Sequence, residues 1–318
     1  MKRRLFILLL MINASCLFSQ EYFNKIIPFD FGNPNPVQLF LYNQDYYIPV
    51  IYYAKDGDIS TIVNTKDTEK QVYYYHYDNF DFSADALVNI KNNLYIYAKD
   101  RSIDNDIRIM KLNYDFSAQW IKSYHTNGEW NFPITAIALD EYIYVSFLID
   151  FNNGKHREIG IKKIDTLGNE IWSKNYNLND KLSFVWQITP SLDHNILISA
   201  GVNYTYKIGR YSQVTKIDTA GNIIWRTSGD EEFEDGATTA WITQLTDSSI
   251  VQSYKTNKWE DYDIWKNNFN YFPTRLKWYD KNGVPNHEIL LTTPKVDQAY
   301  IFGIKAGKGD YFFAYGMY

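Results

Sequence analysis

Cysteine is almost missing: Cys16 is the only one in 318 residues. It falls inside an N-terminal segment that reads as an export leader. With the leader removed, no disulfide framework, thiolate metal site or cysteine nucleophile can be built. Histidine is scarce too. The five histidines stand at 76, 125, 156, 194 and 287, and no two have the spacing of metal ligands. After the leader no apolar run is long enough to cross a bilayer as a helix. No amphipathic helical period stands out either. His-Glu-x-x-His, Gly-x-Ser-x-Gly, a phosphate-cradling glycine loop and a dinucleotide fingerprint are all absent. There is no basic stripe. Taking Lys2, Arg3 and Arg4 from the 32 basic residues leaves 29 against 37 acidic ones, a net of −8, so nucleic acid is not an expected partner.

The leader itself is plain. Lys2, Arg3 and Arg4 open it, residues 5–12 are an unbroken apolar run, and Ala14, Ser15 and Ser19 are small. This is a secretory signal, with cleavage expected before Gln20. The domain plan is therefore 1–19 signal peptide and 20–318 a single domain. Cys16 follows Ala14 and Ser15 as a lipoprotein cysteine would, but Asn13 stands where such a box takes an apolar residue. Both readings of Cys16 remain open, with loss alongside the leader favoured.

Aromatic residues fill the space that other types leave: 28 tyrosines, 19 phenylalanines and 9 tryptophans. They favour strands and broad packed faces. A ten-residue phrase recurs about every fifty residues. It reads KIDTLGNEIW at 163–172 and KIDTAGNIIW at 216–225, with a weaker copy, KLNYDFSAQW, at 111–120. Two eroded copies are TKDTEKQVYY at 65–74 and WYDKNGVPNH at 278–287. A period of this length on strand-like segments predicts a propeller blade or a similar repeat.

One repeat shows the expected plan. Strands are predicted at 134–139, 142–149, 158–164 and 170–176, with a tight turn at Asp140 and Glu141 and a loop at 150–156. The run 158–164 lacks a clean alternation, so packing must decide which face is buried. The same plan fits 37–79, 82–127, 131–177, 183–228 and 238–292, and a half-repeat at 296–318 adds strands at 299–305 and 310–315. Residues 21–27 resemble 170–176, with Phe23 in the tryptophan place. The fold expected is all-β: a single β-propeller of about six four-stranded blades. The last blade is shared between the N- and C-termini and is short of one strand. In the phrase, Asp165 should accept N–H bonds, Gly168 should take positive φ, and Trp172 should pack largely buried against the next blade.

Asp-x-x-Gly-Asn-x-x-Trp resembles the tryptophan-docking motif of the quinoprotein-like (PQQ-like) β-propellers, which has one more residue between Asp and Gly. It is also close to the Asp-box of sialidase-like propellers, which has one fewer before Gly and one fewer before Trp. The nearest likeness is to exported repeat proteins of Gram-negative gliding bacteria, whose blades carry K-[IL]-D-x-x-G-N-x-x-W-x-K. The resemblance covers residues 60 to 292 and implies a blade rather than an activity. Those proteins often carry a C-terminal type IX secretion sorting domain. This chain departs from the pattern in ending at Tyr318 with no room for that domain, which speaks against export by that route or for a truncated product of a longer gene.

The candidate chemistry is sparse. Asp100, Asp104 and Asp106 could suit a hard cation, but without the spacing and turn glycine of an EF-hand a solvated loop is the better reading. The stretch 229–236 holds five acids in eight residues and reads as a charged inter-blade loop. His287 stands in a tryptophan place and reads as packing. The longest insertion, 256–270, carries Trp259, Tyr262, Trp265 and Phe269. It joins second to third strand, on the face where propellers usually bind ligands. Trp259, Tyr262 and Trp265 are therefore the candidate ligand-binding residues. The bland alternative is that they cover the blade edge. No catalytic residue, metal ligand or cofactor-binding residue is assigned, and no cofactor is expected. The expected protein is a monomeric, non-enzymatic binding or scaffold module, secreted or at the bacterial envelope, with a glycan or protein partner. The alternative is a propeller hydrolase or lyase acting on extracellular polysaccharide, and a quinoprotein comes third.

Overall fold

A computed structural model describes residues 33–36, 40–42, 45–53, 59–64, 71–74, 80–100, 106–126, 130–151, 156–177, 182–205, 208–227, 240–255, 274–291, 300–307 and 312–317. Among these residues every regular element is a strand. The chain divides into two compact units, with the boundary after Tyr176.

The unit Lys25–Tyr176 holds three sheets. The first has a split inner strand, β1 (Asn33–Pro36) and β2 (Phe40–Tyr42), both paired with β3 (Asp45–Tyr53), then β4 (Ile59–Asn64) and β5 (Gln71–Tyr74). The second runs β6 (Phe80–Ile90), β7 (Asn93–Asp100), β8 (Ile107–Leu112) and β9 (Ala118–Tyr124). The third runs β10 (Trp130–Leu139), β11 (Tyr142–Phe151), β12 (His156–Asp165) and β13 (Glu170–Tyr176). Within each sheet successive strands pair antiparallel, with β1 and β2 both on β3, as short hairpin connections require. The predicted strands of this repeat are all present, the first three longer at the loop end.

The second unit, from Asn177 onward, repeats the plan. It holds β14 (Leu182–Pro190), β15 (Ile196–Thr205), β16 (Ile208–Ile217) and β17 (Ile223–Arg226), then β18 (Ala240–Gln244), β19 (Ile250–Lys255), β20 (Thr274–Tyr279) and β21 (Pro285–Leu291). A closing pair, β22 (Tyr300–Ala306) and β23 (Phe312–Met317), matches the predicted half-repeat. The fold is a β-propeller. The six expected blades correspond to β1–β5, β6–β9, β10–β13, β14–β17, β18–β21 and β22–β23. Residues 21–27, expected to close the ring, lie outside the described residues, as does the leader.

Burial explains why alternation was weak. The third sheet packs a face on the second, through Ile143, Val145, Phe147 and Ile149 against Tyr95, Tyr97, Ile107 and Ile109. Along β11 every residue from Ile143 to Asp150 is buried, so both faces are covered and no polar side is needed. β12 follows suit: Ile159 and Ile161 on one face, Gly160, Lys162 and Ile164 on the other, are all buried. Lys162 is tolerated there because Nζ donates to Glu170 Oε2 at 2.7 Å and to Ser173 Oγ at 3.2 Å.

The phrase forms one turn four times. Asp165 Oδ1 accepts from the Leu167 and Asn169 N–H groups at 2.9 and 2.7 Å, and Asp218 does the same for Ala220 and Asn222. Asp280 accepts from Asn282 and Val284, both at 2.8 Å. Gly168, Gly221 and Gly283 sit at φ of 80, 80 and 82°, as the turn demands. In the weak copy Phe116 holds that place at φ 64°. A one-residue register shift precedes the turn in each copy, at Leu112, Ile164, Ile217 and Tyr279. This bulge sets Trp120, Trp172 and Trp225 opposite Lys111, Lys163 and Lys216. The tryptophans are half-buried rather than largely buried, because each stands on an outer strand whose far side meets water. Trp172 meets Tyr144 edge-on at 6.0 Å, within its own blade. Trp120 packs against the next repeat's turn at Gly168.

Candidate functional site

The tight ends of the blades are spent on structure. The hairpins between first and second strands turn at Lys91 and Asn92, at Asp140, at His194 and at Ser248, all with positive φ. The turns between third and fourth strands are the aspartate-anchored loops just described. Function is left to the opposite end, where second strands hand over to third and blades connect. The sequence-predicted residues Trp259, Tyr262 and Trp265 lie outside the described residues, as does the acidic stretch 229–236. His287 pairs across the strands with Trp278, with ring centroids 5.2 Å apart, and is exposed.

What the structure brings together at that end is the mouth of the β11–β12 hairpin. Asp150 faces Arg157 across the two strands, and Arg157 Nε donates to Asp150 Oδ2 at 2.9 Å. Asp150 is only 6% exposed, and its second oxygen, Oδ1, is buried with no hydrogen-bond partner. A buried acceptor left unmade costs about 1–3 kcal/mol. On the adjoining inner strand Phe132 lies opposite Leu148, two residues before Asp150, so it shares the face of Asp150 and Arg157. Phe132 is 39% exposed.

The other face of the same hairpin mouth carries His156, Glu158 and Phe151. His156 Nε2 lies 3.1 Å from Glu158 Oε1, and the His156 ring tilts against Phe151 at 5.6 Å. A histidine oriented by a carboxylate is a group that can move protons. However, strand period places Arg157, the cation beside it in sequence, on the opposite face. The hairpin therefore does not gather His156, Arg157 and Glu158 into one constellation.

Asp106 and His125 flank the corresponding end of β8 and β9, with His125 Nδ1 3.1 Å from Asp106 Oδ1. Asp106 is buried, so it does not belong to a solvated loop; the aspartate anchors the strand end instead. No group of three or more His, Cys, Asp or Glu side chains that could hold a metal occurs among the described residues. Among them, too, no helix is long and apolar enough to cross a membrane.

The sequence singled out none of Phe132, Asp150, Arg157 or Glu158. The available signal was modest: Asp150 and the triplet His156-Arg157-Glu158 bracket a predicted second-to-third-strand loop, where charged residues need partners.

No protein-family profile matches the chain, and no curated protein matches it. Solved structures do. A polysaccharide lyase, the PL25 ulvan lyase bound to -[GlcA(1-4)Rha3S]-, superposes with a TM-score of 0.56 at 10% identity, over 90% of this chain and 75% of that one. A neuraminidase-like protein from A/bat/Guatemala/164/2009 gives 0.55 at 10% identity, over 89% of this chain and 81% of that one. At such identity the likeness is one of fold: both are β-propellers.

Proposed function

We propose that the protein is an exported, non-enzymatic binding protein, monomeric, at the cell envelope or outside it, and that its ligand is a glycan. The observation that carries this reading is the hairpin mouth of β11 and β12. An exposed aromatic side chain, Phe132, shares a face with the ion pair of Asp150 and Arg157. Sugars are recognised by such a pairing of an apolar platform with a few convergent polar groups. Trp259, Tyr262 and Trp265, from the long second-to-third-strand insertion, are proposed to extend the same kind of surface. The blade phrase, similar to that of exported PQQ-like repeat proteins, and the leader support export. A fold shared with an ulvan lyase makes a polysaccharide partner reasonable without assigning one.

The second reading is a polysaccharide hydrolase or lyase, favoured by the His156–Glu158 pair. The opposite orientation of Arg157 is the reason to place it second. A glycan array on the purified chain, with and without calcium, tests the first reading. Reducing-end and unsaturated-uronate assays on the polysaccharides that bind test the second. Binding without product formation is the expected result. Turnover that disappears in His156→Ala would reverse the order of the two readings.

A further inference from the structure

One seam between blades lacks the lysine that fills its counterpart. Where the second blade meets the third, the Lys122 ammonium is seated on the third blade's turn. Its Nζ donates to the carbonyls of Leu167 and Gly168 at 2.8 and 3.1 Å, lies 3.4 Å from Asn169 Oδ1 and stands 5.6 Å from the Trp120 ring centroid. The fourth and fifth blades build the same seam. The Gly283 N–H donates to the Asp280 carbonyl at 3.0 Å and the Asp280 N–H to the Val284 carbonyl at 2.9 Å, as Gly168 and Asp165 do in the third blade's turn. Gly283 stands at φ 82° and meets Trp225 as Gly168, at φ 80°, meets Trp120. The carbonyls of Asn282 and Gly283 beside the Trp225 indole therefore form the same seat. Its lysine is missing. Two residues beyond Trp225 stands Thr227, paired with Val214 as Lys122 is with Ile109. Thr227 is buried and turns inward, its hydroxyl accepting from the Val214 N–H at 3.0 Å. Strand period puts Arg226 on the other face. Among the described residues no donor reaches either carbonyl. Asn282 is exposed and Trp225 half-buried, so the seat borders solvent. Gly168 is as buried as Gly283, and its carbonyl still takes the lysine.

We propose that this seat binds a primary alkylammonium ion from outside the chain. An ammonium carries three donors, and two carbonyls and an indole face are what Lys122 finds in the other seam. A tetraalkylammonium has no N–H to give, and an anion would face carbonyl oxygens. The stretch 229–236, with five acids in eight residues, begins two residues after Thr227. Its charge draws cations and favours an amine with more than one positive charge, a polyamine above a monoamine.

The seat uses none of the hairpin-mouth residues and is independent of glycan binding. For the test, the full chain is labelled with 5-fluorotryptophan, and the Trp225 and Trp120 fluorine resonances are assigned with Trp225→Phe and Trp120→Phe. n-Butylammonium chloride, which copies the end of a lysine side chain, is titrated in at constant ionic strength. The Trp225 resonance is expected to move to saturation, while n-butanol, tetramethylammonium and sodium chloride leave it in place. Spermidine should saturate it at a concentration about tenfold lower. Thr227→Lys supplies the missing lysine and should abolish the response. That variant gives up the bond to the Val214 N–H and could unfold, so Lys122→Ala is run alongside. It empties the seat of the other seam, and the Trp120 resonance, silent in the native chain, should then answer to n-butylammonium. A Trp225 resonance that no amine moves, or that n-butanol or sodium chloride moves as far, would overturn the proposal. So would a Trp120 resonance that stays silent in Lys122→Ala, because a seat of this shape would then hold no free amine.

Discussion

Gly168 of the third blade and Trp120 of the second are in contact: a methyl group added at Gly168 would lie 2.8 Å from Cη2 of Trp120. The same relation joins Gly283 to Trp225, at 2.7 Å. Around Gly168 the second blade closes like a clamp. Lys122 Nζ donates to the carbonyls of Leu167 and Gly168 at 2.8 and 3.1 Å, and the Tyr124 hydroxyl donates to the Gly168 carbonyl at 2.9 Å. The second blade thus grips the turn of the third through side chains at every second position of its outer strand.

Gly168→Ala should therefore be costly for two reasons. The residue holds φ +80°, a conformation that costs an L side chain about 1–2 kcal/mol. The added methyl also meets Trp120 and the Lys122 stem, and overpacking costs about 1–3 kcal/mol. Urea unfolding is expected to show a loss of about 2–5 kcal/mol. Repeating the substitution in a Trp120→Leu background should recover the packing part and leave the backbone part. Equal losses in both backgrounds would mean that Trp120 gives way freely and the contact is incidental.

Trp172 makes a milder prediction. It is half-buried, edge-on to Tyr144, with Lys174 Nζ 5.8 Å from its ring centroid. Fully buried aromatics cost about 3–5 kcal/mol when cut to alanine. Trp172→Ala should cost less, about 2 kcal/mol, by chemical denaturation. A loss in the full-core range would show that the indole is more deeply enclosed than an outer strand permits.

The phrase was legible because it is local. An aspartate, a turn glycine and a tryptophan at fixed spacing act within ten residues, so the sequence carries strand order and blade count. Its erosion was harder to read. Phe116 takes the glycine position at φ 64°, which looks like a lost motif; yet Phe116 is buried and meets Tyr47 of the first blade at 5.1 Å. In the fifth repeat the lysine–tryptophan pair becomes Trp278–His287, aromatic and nitrogen base exchanged across the strands. Both compensations are invisible along the chain and evident across it. The hairpin mouth was missed for the same reason. Whether Asp150 is satisfied, and whether Arg157 and His156 point the same way, depends on register and burial.

Acid should weaken the second unit through Asp193. Burial pushes its carboxyl up, but hydrogen bonds from Lys216, Ser191 and Asn195 outweigh this and hold it at about 2. Lys216 Nζ stands 2.7 Å from Asp193 Oδ2, with the lysine side chain buried. The folded value lies below the unfolded one of 3.8, so the stabilisation is present above about pH 4 and is lost as pH falls through about 2. Asp193 is itself 56% exposed, so solvent screening keeps the effect well under what the shift alone implies. Asp193→Asn should lower the urea midpoint at neutral pH, and the gap to the native chain should shrink in strong acid. A gap that stayed constant down to about pH 2 would assign the loss to the hydrogen bonds and not to charge.

The insertion 256–270 gives the last prediction. It joins second to third strand of the fifth blade and carries Trp259, Tyr262 and Trp265 beside Glu260, Asp261 and Asp263. β19 ends at Lys255 and β20 begins at Thr274, while the corresponding handover in the third blade runs only from Phe151 to His156. So long a connection in a compact repeat is either functional or a cover for the blade edge. Indoles on a functional loop offer sugars a large flat surface, and the neighbouring carboxylates accept hydroxyl donors. Trp259 and Trp265 changed together to Ala should leave the unfolding midpoint within about 0.5 kcal/mol of the native chain, as for surface positions, and abolish binding of the glycan. A loss of several kcal/mol with tryptophan fluorescence shielded from iodide in the native chain would make the insertion a structural cover. Glycan binding would then rest on the hairpin mouth of the third blade alone.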